Sequence, residues 1–443
     1  MYIYSSGLEA HRVIGNYLVP MLVEYGNLLQ AEKSFNRLLH RKEHSWTSLI
    51  QAYAECGKSS RSLYLFEKMR QDNVCPSSYT FVAVLKACAK LKSMERGQEF
   101  HTEIAQEGLE IDFCIGSSLV HMYVKCGFLV EALDVFEKNR HVCDVVSWTT
   151  IISGYIDLTL VALKYLKQMQ ENGLHLDGNT FVCCLKGCGN PESLGIGQEI
   201  HHEIVKHGFE GDLIVANSLL DMYSKSGSLV EASAVFMDIE VKDVITWTSL
   251  ISGYAEHGCS EEALTCYGRM QEDGVLSNNV TLICSLRACG NIKAINQGKE
   301  MHSLIFKRGL ERDASISSAL VAIYGRCQLF TEAHGTLRRQ EVEDVVSWNA
   351  LMSGYADHGL VEEAMKAFEI MQTKGLYPDS VTFICILKGC CRNKAIGSVR
   401  QLHIEIAKQG NENELTVGNA LMDSYVKCGS LSEAEKVFNS LKV

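Results

Sequence analysis

The sequence predicts an all-α protein, an α-solenoid superhelix of stacked helix-turn-helix repeats. Three observations carry this. A unit of about a hundred residues recurs four times, each unit divides into three related pieces, and each piece shows two apolar stripes at helical spacing broken by glycine. All four tryptophans fall in one motif: Ser45-Trp46-Thr47, Ser147-Trp148-Thr149, Thr246-Trp247-Thr248 and Ser347-Trp348-Asn349, spaced by 102, 99 and 101 residues. Gln98-Glu99-Phe100-His101, Gln198-Glu199-Ile200-His201, Lys299-Glu300-Met301-His302 and Arg400-Gln401-Leu402-His403 keep the same period, as do the Tyr123, Tyr223 and Tyr425 segments with their Lys two residues on.

The stretch 243–343 shows the elements in order. Its pieces are 243–277 (35 residues), 278–311 (34) and 312–343 (32). In the first, Leu250, Ile251 and Tyr254 recur at helical spacing and Gly258 breaks the run. Ser260 is a candidate N-cap, with Glu261 and Glu262 in a first turn that favours negative charge. Ala263, Leu264, Tyr267 and Met270 form the second stripe, and Gly274 closes it. Helix pairs this short cannot bury their stripes alone, whereas stacked neighbours can. The chain then divides into a leftover 1–9 and thirteen pieces starting near 10, 42, 77, 111, 144, 177, 211, 243, 278, 312, 344, 379 and 413. Residues 1–9 read as the tail of a middle piece, Val443 falls about where the last piece should end, and no terminal cap is visible. The expectation is a single array over 1–443, cut within a repeat at both ends.

Composition narrows the function. Hydrophobic residues make up 47% and charged residues 21%, which excludes global disorder. Pro20, Pro76, Pro191 and Pro378 are the only prolines, and no run of 18 uncharged apolar residues predicts a membrane span. A net charge of −11 gives no general electrostatic grip on nucleic acid. The 18 cysteines include no C-x-x-C pair, so free and mostly buried thiols are expected. Cys88, Cys188, Cys289 and Cys390 share one position, and Cys126, Cys327 and Cys428 another that Ser226 also fills, as packing positions do. The aligned His101, His201, His302 and His403 lie a unit apart, too far to share a metal, and fit a polar packing slot.

The alternating 35-, 34- and 32-residue pairs resemble the pentatricopeptide repeat family in its plant-type form with P, L and S repeats. The phrases that carry the resemblance are Asp-Val-Val-Ser-Trp-Thr-Thr-Ile-Ile-Ser-Gly-Tyr (144–155), Gly-Gln-Glu-Ile-His (197–201) and Leu-Met-Asp-Ser-Tyr-Val-Lys-Cys-Gly-Ser-Leu (421–431), and it covers essentially the whole chain. It implies an organelle protein, mitochondrial or plastid, that binds single-stranded RNA one base per repeat. It also implies a separate editing or processing enzyme as partner, and no cofactor, metal, membrane or small-molecule substrate. The reader residues it implies pair Thr47 with Ser77, Ser117 with Asp144, Thr149 with Asp177 and Asn217 with Asp243. Further pairs are Thr248 with Asn278, Ser318 with Asp344 and Asn349 with Asp379, and Asn419 leads a last pair. Val146, Ile214, Ile245 and Val346 match the position that sandwiches a base. The middle pieces carry Val82, Val182, Ile283 and Ile384 in the first reader slot and resemble the weakly reading L type. In the family, Thr or Ser with Asp favours G, Thr with Asn favours A and Asn with Asp favours U. The implied target, from the piece starting at 111, is 5′-G-G-x-U-A-x-G-U-x-3′.

A second explanation stands beside that one. Asp112, Asp144, Asp177, Asp212, Asp243, Asp313, Asp344 and Asp379 each precede a helix, where Asp commonly caps or turns the chain. Against pure capping, Asn replaces Asp at 278 while Asn alternates with Thr and Ser at the other slot. Some repeats depart from the pattern. Lys42 sits where Asp or Asn is expected after Asn16, Thr47 with Ser77 is a weak pair, His44 replaces a sandwiching residue, and the piece 144–176 is two residues short, which predicts misphased helices.

Plant-type relatives with a deaminase-like domain need H-x-E and a later C-x-x-C. His101-Thr102-Glu103, His201-His202-Glu203 and His403-Ile404-Glu405 fit the first half, all at one repeat position, and the second half is missing. Gly57-Lys58-Ser59 resembles a phosphate loop, but Ala52 occupies its first Gly position. No intrinsic enzymatic activity is expected. Two alternatives remain: a peptide-binding scaffold of tetratricopeptide type, which Trp247, Tyr254, Ala263 and Tyr267 partly match, or a fragment of a longer editing factor.

Overall fold

The computed structural model describes residues 13–110, 112–141, 143–156, 158–339, 344–411 and 414–441. The leftover 1–9 and the piece starts near 10, 111 and 413 lie outside them. Among the described residues there are 26 α-helices, two 3₁₀ turns and no strand. The chain forms two compact units, Met1–Met222 and Tyr223–Val443.

In the first unit the helices are α1 (Ile14–Glu24), α2 (Leu28–Asn36), α3 (Glu43–Glu55), α4 (Ser59–Gln71), α5 (Ser78–Leu91), α6 (Met94–Gln106), α7 (Phe113–Cys126), α8 (Leu129–Asn139), α9 (Val145–Gly154), α10 (Thr159–Glu171), α11 (Gly178–Lys186) and α12 (Leu194–Lys206). The division falls within α13 (Leu213–Lys225). The second unit continues with α14 (Leu229–Asp238), α15 (Val244–Glu256), α16 (Ser260–Glu272), α17 (Asn279–Ile292), α18 (Ile295–Lys307), α19 (Ala314–Arg326), α20 (Phe330–Arg338), α21 (Val345–Asp357), α22 (Val361–Thr373), α23 (Ser380–Asn393), α24 (Ile396–Lys408), α25 (Leu415–Lys427) and α26 (Leu431–Ser440). Odd-numbered helices open each pair and even-numbered helices close it. Within each unit successive first helices pack on one another, α1 to α11 and α15 to α25, while second helices pack against their own and the next first helix.

The sequence dictates this arrangement locally. Short acceptor side chains stop the incoming loop and start most of the first helices. Asp243 accepts from the Thr246 amide at 2.8 Å, and reciprocal capping boxes join Ser77 to Thr80, Asp243 to Thr246 and Asp379 to Thr382. Gly258 turns the chain at φ +83°, a conformation that costs glycine little. In the middle pieces Lys92, Lys293 and Lys394 make the equivalent left-handed turn at φ 53°, 56° and 52°, against the preference of an L side chain.

The tryptophans are structural anchors. Trp46, Trp148 and Trp247 are buried, each edge-on to a phenylalanine of the preceding second helix: Phe35 at 4.6 Å, Phe136 at 4.8 Å and Phe236 at 4.8 Å. Cys88, Cys188, Cys289 and Cys390 are fully buried, and burial pushes the thiols of Cys88, Cys289 and Cys390 up to about 12. The histidine column packs as expected. His101, His302 and His403 hydrogen-bond the hydroxyls of Tyr123, Tyr324 and Tyr425 at 2.7, 2.7 and 2.9 Å.

The short piece 144–176 corrects one expectation. Its two missing residues shorten α9 to 10 residues, against 13 in α3, α15 and α21, but do not misphase it. Trp148, Ile151 and Ile152 stay buried. Gly187 lets the Ile156 carbonyl come so close that a Cβ there would lie 2.4 Å from its oxygen.

Candidate functional site

The predicted reader residues lie at the starts of the first helices, where Thr47, Asn217 and Asn349 are buried, Asp379 and Asn419 are exposed and the others are half-buried. The first member of a pair sits one turn inside its helix, and the second is the N-cap of the next first helix. Thr47 Oγ1 lies 2.6 Å from Thr80 Oγ1, Ser117 Oγ 2.8 Å from Ser147 Oγ, Thr149 Oγ1 2.9 Å from Thr180 Oγ1, and Thr248 Oγ1 2.7 Å from Thr281 Oγ1. Each of these partner hydroxyls belongs to the residue three past the cap, so one Ser or Thr bridges the two members of a pair. Thr180 Oγ1 donates to Asp177 at 2.6 Å, Ser147 Oγ to Asp144 at 2.8 Å, and Thr281 Oγ1 to Asn278 at 2.9 Å. Asn349 meets its partner directly: its Nδ2 donates to Asp379 Oδ1 at 3.0 Å, and its Oδ1 accepts from Thr382. Burial raises the Asp379 carboxyl, but hydrogen bonds from Thr382 and Asn349 outweigh it and hold the group below its usual range.

The remaining residues are placed less tightly. Ser318 donates to the Ser315 carbonyl at 2.9 Å, and Asp344 caps α21 by accepting from the Ser347 amide at 2.7 Å. Asn217 is buried in α13, Asp243 caps α15, and Asn419 is exposed. The four sandwiching candidates stand out from the first turns: Val146, Ile214, Ile245 and Val346 are each more than half exposed.

All eight aspartates anticipated as caps are caps. Asp112, Asp212 and Asp313 accept from two amides each, and Asp144, Asp177, Asp243, Asp344 and Asp379 accept from the amide three residues on. Capping and recognition are compatible in this geometry. In Asp144, Asp177, Asp344 and Asp379 the cap bond goes to Oδ1, which leaves Oδ2 as an acceptor. In Asn278 the cap also takes Oδ1, at 2.8 Å from the Thr281 amide, and the group left over is the Nδ2 donor. Exchanging Asp for Asn therefore keeps the cap and reverses the polarity of the atom left over.

Three features escape a reading of the sequence. Glu43 accepts from both Thr47 at 2.8 Å and Ser77 at 2.5 Å, so this weak pair is closed by a carboxylate of its own helix. The spacing of Glu43 four residues before Thr47 is the signal that could have shown it. Asn16 replaces the missing cap at Lys42: its Oδ1 accepts from the Lys42 amide at 2.8 Å and from Ser45 Oγ at 2.8 Å. Tyr79, Val280 and Val381, two residues past their caps like Val146, are also more than half exposed. Among the described residues no group of three or more His, Cys, Asp or Glu could hold a metal ion.

The fold and this site define a class: helical-repeat proteins whose first helices stack in a row, many with a small polar side chain one turn from a capped N-terminus. The chain belongs to the pentatricopeptide repeat family. The model of the PPR repeat family matches residues 41–90 and 343–392, and that of the PPR repeat matches 117–138, 214–244, 245–275 and 419–443. Among curated relatives, a chloroplastic pentatricopeptide repeat-containing protein of Arabidopsis thaliana is 31% identical over 96% of this chain and 69% of its own length. Another from the same plant is 31% identical over 99% of this chain and 53% of its own, and a mitochondrial one is 32% identical over 98% and 43%. The chain thus spans between about half and two thirds of several of these relatives. Among solved structures, the pentatricopeptide repeat protein PPR10 in complex with an 18-nt psaJ RNA element is 20% identical, covering 96% of this chain and 63% of that one, at a TM-score of 0.49.

Proposed function

We propose that this chain is a sequence-selective single-stranded RNA-binding adaptor for organelle RNA processing or C-to-U editing. It would read one base per repeat through the thirteen-piece register and leave the chemistry to a separate enzyme. The observation that carries this reading is the cap atom left over, Oδ2 at Asp144, Asp177, Asp344 and Asp379 and Nδ2 at Asn278. G and U present an N–H at the centre of the Watson–Crick edge, which an Asp Oδ2 accepts, whereas A presents a bare ring nitrogen, which the Asn278 Nδ2 meets. The slot residue one turn along, Thr, Ser or Asn, adds a second small polar group. Val82, Val182, Ile283 and Ile384 are half-buried and offer no such group. The organelle follows from family membership, since relatives carry chloroplastic and mitochondrial names.

The test is a titration at near-physiological salt with RNA carrying G-G-x-U-A-x-G-U, against the same RNA with each G and A exchanged. Tight binding that weakens on exchange supports the reading. Equal binding of both RNAs, or of neither, refutes it and leaves the peptide scaffold or the fragment.

A further inference from the structure

The middle pieces, which lack a polar reader, carry a different chemistry in the same place. One turn beyond the apolar slot, four residues on and so on the same helix face, stand Lys86, Lys186, Arg287 and Lys388. Each of the four middle pieces has this cation. The equivalent position holds Gln51, Ser153, Ser252 and Ser353 in the Trp-bearing pieces, and Pro20, His121, Asp221, Ala322 and Asp423 in the third pieces. Nine of nine other repeats thus lack a lysine or arginine where four of four middle pieces have one. All four cations are exposed, two in each compact unit, and none makes an ion pair or side-chain hydrogen bond among the described residues. Elsewhere on the chain exposed cations are often neutralised internally, as with Arg61 on Glu32 at 2.6 Å and Arg400 on Glu433 at 2.7 Å. Arg287 shows where these free charges lie relative to the slots. It lines a cavity of about 250 Å³ together with Ile283, Ser318 and Val346, which come from the first turns or slots of three successive first helices, α17, α19 and α21.

We infer that Lys86, Lys186, Arg287 and Lys388 form phosphate-gripping positions, so that each middle repeat holds the backbone of a single strand at the step where it does not read the base. This rests on the RNA-binding reading above. It also explains how a chain of net charge −11 can hold a polyanion: four cations with no ion pair among the described residues lie one helical turn from the slots.

The experiment compares the full chain with the variant K86Q/K186Q/R287Q/K388Q and a charge-matched control, K33Q/K164Q/K366Q/K436Q, whose four lysines are exposed on second helices. Affinity for the G-G-x-U-A-x-G-U RNA is measured across salt, and every variant is melted to confirm that it folds. Each phosphate grip removed should lower the slope of log K against log salt by about 0.7, roughly three units for the quadruple variant. The preference for G and A over their exchanged bases should not change, and the control slope should stay near wild type. An unchanged slope, or an equal fall in the control, overturns the inference. If the quadruple variant fails to fold, R287Q alone should lower the slope by about 0.7. If the wild-type chain binds no RNA, the same proteins are titrated with inorganic polyphosphate. Binding that the quadruple variant loses and the control keeps sustains the phosphate positions while the RNA reading falls, and no binding at all overturns both.

Discussion

Asn278→Asp separates the two jobs of the cap residue. In the native chain Asn278 Oδ1 accepts from the Thr281 amide at 2.8 Å and from Thr281 Oγ1 at 2.9 Å. An Asp carboxylate supplies the same oxygen, and Asp and Asn are nearly equivalent as N-caps, so folding stability should change by no more than about 0.5 kcal/mol. The atom left over, however, turns from donor to acceptor. A polar group left facing the wrong partner costs about 1–3 kcal/mol, which corresponds to roughly 5- to 150-fold in affinity. Wild type should therefore prefer A to G at the fifth base of the target, and Asn278→Asp should prefer G to A. Fluorescence anisotropy with two RNAs that differ only at that base measures the preference, and a melting curve measures the cap. A variant that melts like wild type yet keeps its preference for A refutes the assignment of Nδ2 as the reader. A variant that is destabilised by more than about 2 kcal/mol refutes the account of the cap.

Three further outcomes follow from the fold. At Gly354 an added Cβ would lie 2.7 Å from the Gly325 Cα, backbone against backbone, so Gly354→Ala should destabilise the second unit by about 1–3 kcal/mol in thermal melts. Lys293→Gly removes a left-handed L residue at φ 56° and should stabilise by about 1 kcal/mol, read as a raised Tm. Burial lowers the pKa of His101 and His302 below the ordinary 6.5, only partly offset by Glu110 and Glu311. The unfolded chain then binds more protons than the folded one as pH falls through that value, so Tm should hold above pH 7 and begin to drop as pH falls below about 6.5. Phenylalanine at Tyr123 and Tyr324 tests whether the paired hydroxyls contribute, since it removes the bond and should leave the direction of the pH effect intact.

The helical-repeat fold was legible because each unit repeats its Trp, His and Cys markers, and those markers are packing residues that cannot drift without loss. Helix starts were legible for a related reason: a backbone amide at a first turn needs a short acceptor, and Asp at 144, 243 or 379 announces one. The slots were legible only in part. Thr80, Thr180 and Thr281 carry no sequence signal of their own, although their hydroxyls join the members of three pairs. That role depends on the neighbouring helix, which no local pattern reports. Glu43 and Asn16 fill gaps from other positions, and the shortened α9 keeps Trp148, Ile151 and Ile152 buried. The division into two compact units left no mark in the composition.

The capping role also limits what this surface could ever say. Apart from Lys42, where Asn16 supplies the acceptor, each second-slot residue named above is also a helix N-cap, which favours the short alphabet of Asp, Asn, Ser and Thr. Within that alphabet, the step from Asp to Asn changes one atom and leaves the scaffold at rest. If the caps read bases as proposed, such a chain can change target in single substitutions without passing through an unfolded ancestor. Its vocabulary stays small for the same reason that its spelling is easy to change.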